Sequence, residues 1–358
     1  MLFEPFTARK LTLSNRAVMS PMTRSRAVKA NVPNASMAEY YSQRATAGLI
    51  VTEGTSPSPN GLGYARIPGL FNADQARGWK LVTNAVHTKG GKIVLQLMHT
   101  GRVTHVANLP AGAEVVGPSA AISPGEMYTD SQGMQPYSVP RPMNDQDIST
   151  AVKEYATSAA LAIEAGFDGI ELHAANGYLI EQFLNPHVND RTDAYGAGIA
   201  GRNRFALEVA SAVSAAIGAG RVGIRLSPFG VFNGTGAFPE VEEQTIALVQ
   251  ALSGMGLLYV HVLDHSAMGA PPVPATLKKS LRDAFNGPFI LAGGFDAASA
   301  EKALNEKRAD LIAFGRPFLA NPDLVMRMQA NAELNTPDMA TFYTPGPKGY
   351  TDYPALTA

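Results

Sequence analysis

The strongest constraint on this chain is a recurrence of short apolar runs that do not alternate. Eight such segments, Ala17–Ser20, Leu49–Glu53, Lys92–Leu97, Asp168–Leu172, Val222–Leu226, Leu257–Val262, Pro288–Ala292 and Asp310–Phe314, are each bounded by Gly, Pro, Asn or Asp. Continuous apolarity is what a strand covered on both faces requires. Helical patterns fill the intervals. In the clearest, Asn144–Ala165, residues Ile148, Val152, Tyr155, Ala159 and Ile163 recur at spacings of three and four. Asn144 offers an N-cap with Asp147 three residues on, and Gly166 follows the last turn. Further helices are expected from near Ser36, Ala73, Gly201, Glu240, Thr276, Asp296 and Asn321. Eight strands alternating with eight helices predict an α/β chain closed as a (β/α)8 TIM barrel. No linker or composition break divides residues 1–358, so one domain is expected. Two parts exceed the repeat. Residues 100–143, rich in Pro and Gly, are expected as a lid inserted after the third strand, and residues 332–358 as a C-terminal tail.

Composition narrows the function. Only 16% of residues are charged, below the roughly 25% of an average soluble chain, so most of the sequence can be buried. A net charge of -1 with no run of Lys or Arg argues against a nucleic-acid partner. The absence of Cys rules out disulfides, iron–sulfur clusters, thiolate zinc sites and a cysteine nucleophile. The opening MLFEPFTARKLTLSNR has no apolar core suited to export, and no window approaches about 18 uninterrupted apolar residues. A soluble cytoplasmic protein, monomer or homodimer, acting on a small molecule is the expectation. The N-x-S/T matches at Asn34 and Asn233 are then chance.

In such barrels the chemistry gathers where the strands end, because the βα loops meet there. The residues at those ends are Pro21-Met22-Thr23, Glu53-Gly54-Thr55, Gln96 with Met98 and His99, His173 with Asn176 and Tyr178, Arg225, His261 with Asp264, Gly293-Gly294, and Gly315-Arg316. Backbone N–H groups in glycine turns after the last two strands, with Arg316, suit a phosphate-bearing ligand; the same glycines also serve plain tight turns. Arg225 lies in the apolar run VGIRLSP, where it needs either a carboxylate, Glu53 or Glu171, or an electron-rich ligand. His173 and Asn176 can present two N–H donors to one oxygen, and Tyr178 can supply a proton. Each of these, taken singly, also occurs as a satisfied structural residue. Gly196–Gly201 matches G-x-G-x-x-G but follows the polar RTDAY rather than a strand, so it is not a dinucleotide fingerprint. His261 and His265 lack the glutamate of H-E-x-x-H, and no metal is expected.

The stretch ELHAANGYLIEQFLNPHVNDRTDAYG resembles the fourth-strand signature of the Old Yellow Enzyme family, flavin-dependent ene-reductases. LFEPFTARKLTLSNRAVMSPMTR, MAEYYSQRATAGLIVTEGT, VGIRLSPFGVF, FGRPFLANPDLV and GYTDYP extend the likeness over nearly the whole chain. It is greatest to the branch with N-ethylmaleimide- and nitroester-reducing members. The resemblance implies tightly bound, non-covalent FMN reduced by NADPH or NADH. It places Thr23 on the flavin O4, Gln96 and Arg225 on the pyrimidine edge, Pro21 and Gly54 along the ring system, and Gly293, Gly294, Gly315 and Arg316 on the phosphate. It gives His173 and Asn176 the substrate's carbonyl or nitro oxygen, Tyr178 the α-carbon proton, and Tyr350 a place over the substrate pocket. The implied mechanism is ping-pong, with nicotinamide and an activated alkene using one pocket in turn. Met98 stands where many relatives carry a tryptophan, which bears on substrate orientation, and GAGIAGR replaces the usual GGSIENR. Two other readings remain at this level: a flavin-containing binder or isomerase with little net alkene reduction, and a flavin-free phosphosugar isomerase or aldolase on the same barrel.

Overall fold

The computed structural model describes residues 1–356. All eight apolar runs form barrel strands: β1 (Ala17–Met19), β2 (Leu49–Val51), β3 (Ile93–Leu97), β4 (Gly169–Ala174), β5 (Val222–Leu226), β6 (Tyr259–Leu263), β7 (Phe289–Ala292) and β8 (Leu311–Phe314). They pair in parallel in chain order, and β8 returns to β1 to close the (β/α)8 barrel. The helices between them are α1 (Ala35–Gln43), α2 (Ala73–Thr88), α3 (Asp145–Glu164), α4 (Gly198–Ile217), α5 (Val241–Met255), α6 (Ala275–Ala284), α7 (Ala297–Asn305) and α8 (Leu324–Ala330). Several start where a side chain satisfies the first free N–H groups: Asn34, Asn72, Asn144 and Asp296 each accept from a backbone N–H three residues on. Asn144 and Asp147 form the full reciprocal capping box.

Outward strand residues such as Ile50, Leu95, Ile170, Leu172, Ile224 and Ile312 join the helices in the main core. Inward residues Val18, Leu49, Val51, Val94, Tyr259 and Ile290 fill the barrel. A hairpin not read from the sequence, Phe6–Ala8 against Leu11–Leu13, packs Leu11 and Leu13 onto Leu258 and Leu311 and closes the end where the strands begin.

Of the boundaries that differ from expectation, three have local reasons on the backbone. β2 stops at Val51 because the Thr52 hydroxyl, not a ladder carbonyl, accepts the Gln96 N–H at 3.0 Å. β4 runs on to Ala174, pairing His173 with Arg225 and Ala174 with Leu226. The last helix does not start at Asn321. A short turn of helix, Arg316–Ala320, ends there, and α8 begins only after Pro322. Residues 100–143 contain a hairpin, Glu126–Thr129 with Gly133–Pro136, and a short pairing of Val116–Gly117 with Arg141–Pro142. The tail expected over 332–358 is described as far as Leu356; positions 357 and 358 lie outside the described residues.

Candidate active site

Strand register decides which polar residues meet. Glu171 sits level with Gln96 and Gly223, and His173 level with Arg225, itself level with His261. Side chains two apart on a strand share a face, so Glu171 and His173 project into one interior in successive layers. Gly223 is needed there, since a Cβ would lie 2.3 Å from Cζ of Tyr259. The Glu171 carboxylate accepts from Gln96 Nε2 at 2.8 Å, Tyr259 Oη at 3.0 Å and His261 Nδ1 at 2.9 Å. Burial alone would raise its pKa, but His261, Arg225 and Gln96 hold it below the ordinary value. Burial pushes the His261 imidazole below its ordinary pKa, and Glu171 draws it the other way. Neither Glu171 nor Glu53 hydrogen-bonds the Arg225 side chain. Arg225 is 5% exposed, its Nε is unpartnered, and its charge faces Glu171 only through space. A buried guanidinium with spare donors is the feature an electron-rich ring would satisfy.

The chain leaves β4 through two left-handed residues, Asn176 at φ +60° and Gly177 at φ +75°. Asn is among the few side chains that tolerate this conformation, and a Cβ on Gly177 would meet the Phe232 carbonyl at 2.7 Å. The turn is held from both sides. Asn176 N–H donates to Ser227 Oγ at 2.9 Å, Asn233 Nδ2 donates to the Asn176 carbonyl at 2.7 Å, and Gly177 N–H donates to the buried Glu181. Tyr178 then caps the short helix Leu179–Leu184, with its ring edge-on to His173 at 4.9 Å. His173 makes no side-chain hydrogen bond, and burial followed by Arg225 pushes its pKa well down, so it is a neutral imidazole. Asn176 Oδ1 is likewise unpartnered. Burial pushes the Tyr178 phenol up to about 12, although the Tyr64 hydroxyl at 3.0 Å draws it the other way. His173, Asn176, Tyr178 and Arg225 therefore share one mouth.

The other expected contacts lie around that mouth. Pro21 and Thr23 are half-buried after β1. Gly54 is buried against Met98, where a Cβ would stand 2.4 Å from the sulfur. Met98 packs with Leu62, Ile67, Val103 and Tyr178, and Leu109 and Tyr137 of the 100–143 insertion lean on the same cluster. After β7, Gly293 at φ +132° and Gly294 at φ +70° need glycine, and a Cβ on Gly293 would lie 2.3 Å from the Asp264 carbonyl. Gly315 begins the turn Arg316–Ala320, and Arg316 is exposed. Asp264 pairs with Lys278 and has a structural partner of its own. Gly196–Gly201 leads into α4 from a loop, not a strand. Among the described residues no group of His, Asp and Glu could hold a metal, and no helix is long and apolar enough to cross a membrane.

One expectation is corrected. Tyr350 does not stand over the mouth. It is fully buried, stacked on Tyr40 at 4.2 Å, with the Arg26 guanidinium 4.7 Å from its ring centre. Its ring is covered by Tyr40 and by the Arg24 and Arg26 guanidinia, which leaves no face for a substrate. The tail tyrosine near Tyr178 is instead Tyr343, which with Tyr137 raises the Tyr178 pKa through space. Tyr343 is 61% exposed, and its carbonyl accepts from Arg66, which also pairs with Asp130 of the insertion. The sequence carries no local signal for Tyr343, since its position depends on a clamp elsewhere. Arg24 donates to the carbonyls of Phe342 and Gly349, and Arg26 to those of Thr341, Phe342 and Lys348. His261 and Glu171 were more accessible: strict alternation in the strands ELH and YVHV sends both inward.

Comparison with known proteins bears on the family and the fold. Residues 1–335 match the model of the NADH:flavin oxidoreductase / NADH oxidase family. The chain is 43% identical to 12-oxophytodienoate reductase 1 of Oryza sativa subsp. japonica, over 99% of this chain and 93% of that protein. It is 41% identical to a probable flavin mononucleotide-dependent alkene reductase of Leishmania infantum, over 99% and 98%. The solved old yellow enzyme homologue of Zymomonas mobilis superposes with a TM-score of 0.94 at 38% identity, covering 99% of both chains. With its closed barrel and a mouth of unpartnered polar atoms, the chain belongs to the NADH:flavin oxidoreductase / NADH oxidase family, the Old Yellow Enzyme group of FMN-dependent, NAD(P)H-driven oxidoreductases.

Proposed function

We propose that this chain reduces activated C=C bonds of α,β-unsaturated carbonyl, maleimide or nitro compounds, with Tyr178 as proton donor and His173 and Asn176 as the oxygen-binding pair. The observation that carries the reading is the set of polar atoms at the barrel mouth that find no protein partner: Arg225 Nε, His173 Nδ1 and Asn176 Oδ1. Native interiors seldom leave such groups unpaired unless a ligand meets them. The residues fit FMN. Arg225 and the free carbonyl end of Gln96 offer complementary contacts to the pyrimidine edge, with Thr23, Pro21 and Gly54 alongside. Gly293, Gly294 and Gly315 offer backbone N–H groups to the phosphate, and Arg316 a charge. Bound FMN supplies the redox chemistry, taking a hydride equivalent from NAD(P)H and passing it to the alkene β-carbon.

The protein's own part is electrostatic and steric. Neutral His173 donates one N–H to the substrate oxygen, and the Asn176 amide, free of side-chain partners, donates a second. Together they draw charge onto that oxygen and away from the β-carbon. Tyr178, protonated at neutral pH, delivers its proton to the α-carbon. The insertion 100–143 and the tail from 332 to 356 cover the mouth, exclude water and act with the barrel as one domain. Met98 in place of a broader ring leaves room above Tyr178 for substrates to lie differently. We read the protein as cytoplasmic, as a monomer or homodimer, and as accepting NADPH.

The test is the visible spectrum of the purified protein during anaerobic addition of NADPH and then 2-cyclohexenone. Yellow absorbance that bleaches with NADPH and returns with the enone supports both halves of the reading. Bleaching without recovery favours a flavin-containing binder or isomerase. A colourless protein that fails to take up FMN overturns the proposal.

A further inference from the structure

The proton donor has a neighbour whose position the reading above leaves unused. Tyr64 lies in the loop after β2, outside every strand end that carries the proposed chemistry. Its hydroxyl meets the Tyr178 hydroxyl at 3.0 Å, and the two rings stand perpendicular with centres 6.2 Å apart. Tyr178 retains 9% exposure while Tyr64 is half-buried, so the hydroxyl pair is joined to a residue that reaches water. No other side-chain hydrogen bond reaches the Tyr178 oxygen among the described residues. Burial raises both phenols, and either hydroxyl can donate across the contact, so Tyr64 can supply a proton to the Tyr178 oxygen.

We propose that Tyr64 is a positioning and proton-relay residue for Tyr178, stabilising the charge that develops on the Tyr178 oxygen and returning a proton to it from water. The inference rests on Tyr178 being the proton donor. The balance is simple. The Tyr178 O–H bond breaks as the α C–H bond forms, the Tyr178 oxygen takes the Tyr64 proton, and water reprotonates Tyr64. One proton passes from solvent to product, and neither tyrosine changes overall. A hydrogen bond to a charged group strengthens as the charge forms. The limiting rate should therefore depend on Tyr64 while enone affinity should not.

The experiment compares wild type, Tyr64→Phe, Tyr178→Phe and the double variant as FMN-loaded enzymes, by stopped-flow reoxidation with 2-cyclohexenone. Tyr64→Phe should lower the limiting rate about 10–100-fold, with the apparent enone dissociation constant within about twofold of wild type. In the Tyr178→Phe background the same substitution should have no further effect, because Tyr64 acts through that oxygen. A second readout is independent of turnover. In protein labelled at tyrosine Cζ, the Tyr178 carbon signal should begin its alkaline titration at higher pH in Tyr64→Phe than in wild type. Wild-type rate and titration in Tyr64→Phe would overturn the relay, as would losses that add in the double variant. Should Tyr178→Phe itself leave reoxidation unchanged, the donor assignment fails first, and that failure is visible separately. Retained flavin absorbance and reduction by NADPH show that each variant is folded.

Discussion

Tyr178→Phe removes one oxygen from the site and little else. The ring keeps its place against His173 and in the cluster with Leu62, Met98 and Val103. The lost hydrogen bond is the one to Tyr64, which is half-buried and can turn to water, so the stability cost is about 0.5–1.5 kcal/mol. The kinetic cost is larger. General acid catalysis is worth about 10²–10⁴ in rate, or about 2.7–5.4 kcal/mol of barrel-mouth transition-state stabilisation. The wild-type pH profile carries the same information. An ordinary phenol would be about half ionised at pH 10, whereas one at about 12 is roughly 99% protonated there. Anaerobic stopped-flow should therefore show enone reoxidation by wild type flat from pH 7 to pH 10, and slowed by at least about 100-fold in the variant. Reduction by NADPH, which needs no proton from Tyr178, serves as the reference. A variant within threefold of wild type, a wild-type rate that halves by pH 10, or equal losses in both half-reactions would refute the reasoning.

Arg225→Met removes a buried cation whose Nε finds no hydrogen-bond partner among the described residues. The FMN-free protein should melt no lower than wild type, while FMN affinity falls about 10–100-fold, followed by calorimetry and by flavin release. A destabilised FMN-free protein with unchanged affinity would make Arg225 a structural partner of Glu171. Arg26→Ala cuts donations to the carbonyls of Arg24, Thr341, Phe342 and Lys348. It should cost about 3–5 kcal/mol, open the tail to proteolysis and raise the KM for enones as Tyr343 leaves the mouth; an intact tail under protease would count against the clamp. Glu181 is held at about 7 by burial, against 4.5 for a free carboxyl. The folded protein keeps a proton that the unfolded chain gives up, so this contribution is fully present below pH 4.5 and is lost as pH rises through 7. It amounts to at most about 3 kcal/mol. Glu181→Gln should flatten that decline in urea melts at pH 5 and pH 8, and parallel curves would exonerate Glu181.

The barrel was legible in the sequence because its signals are local. Continuous apolar runs mark doubly covered strands, Asn and Asp mark the helix starts, and the strand ends mark where polar side chains gather. Gln96, His173 and Arg225 were legible from those ends, and Glu171 as a carboxylate within reach of Arg225, whereas the register that sets them level is seen only in the barrel. The left-handed turn at Asn176 and Gly177 also answers to residue type. What the sequence alone could not decide lies in segments without periodicity. Tyr350 and Tyr343 are seven positions apart in one tail, yet the first is stacked on Tyr40 and the second lies beside Tyr178. The difference comes from Arg24, Arg26 and Arg66, which bind tail carbonyls more than 270 residues away in the chain. Tyr64 meets Tyr178 across 114 residues, and the Arg225 guanidinium is left without a partner because Gln96, Tyr259 and His261 have taken Glu171. Local propensity determined the scaffold and the faces of its strands. Competition among distant hydrogen-bonding groups, which exists only once the chain has closed, decided which donors at the mouth remain free.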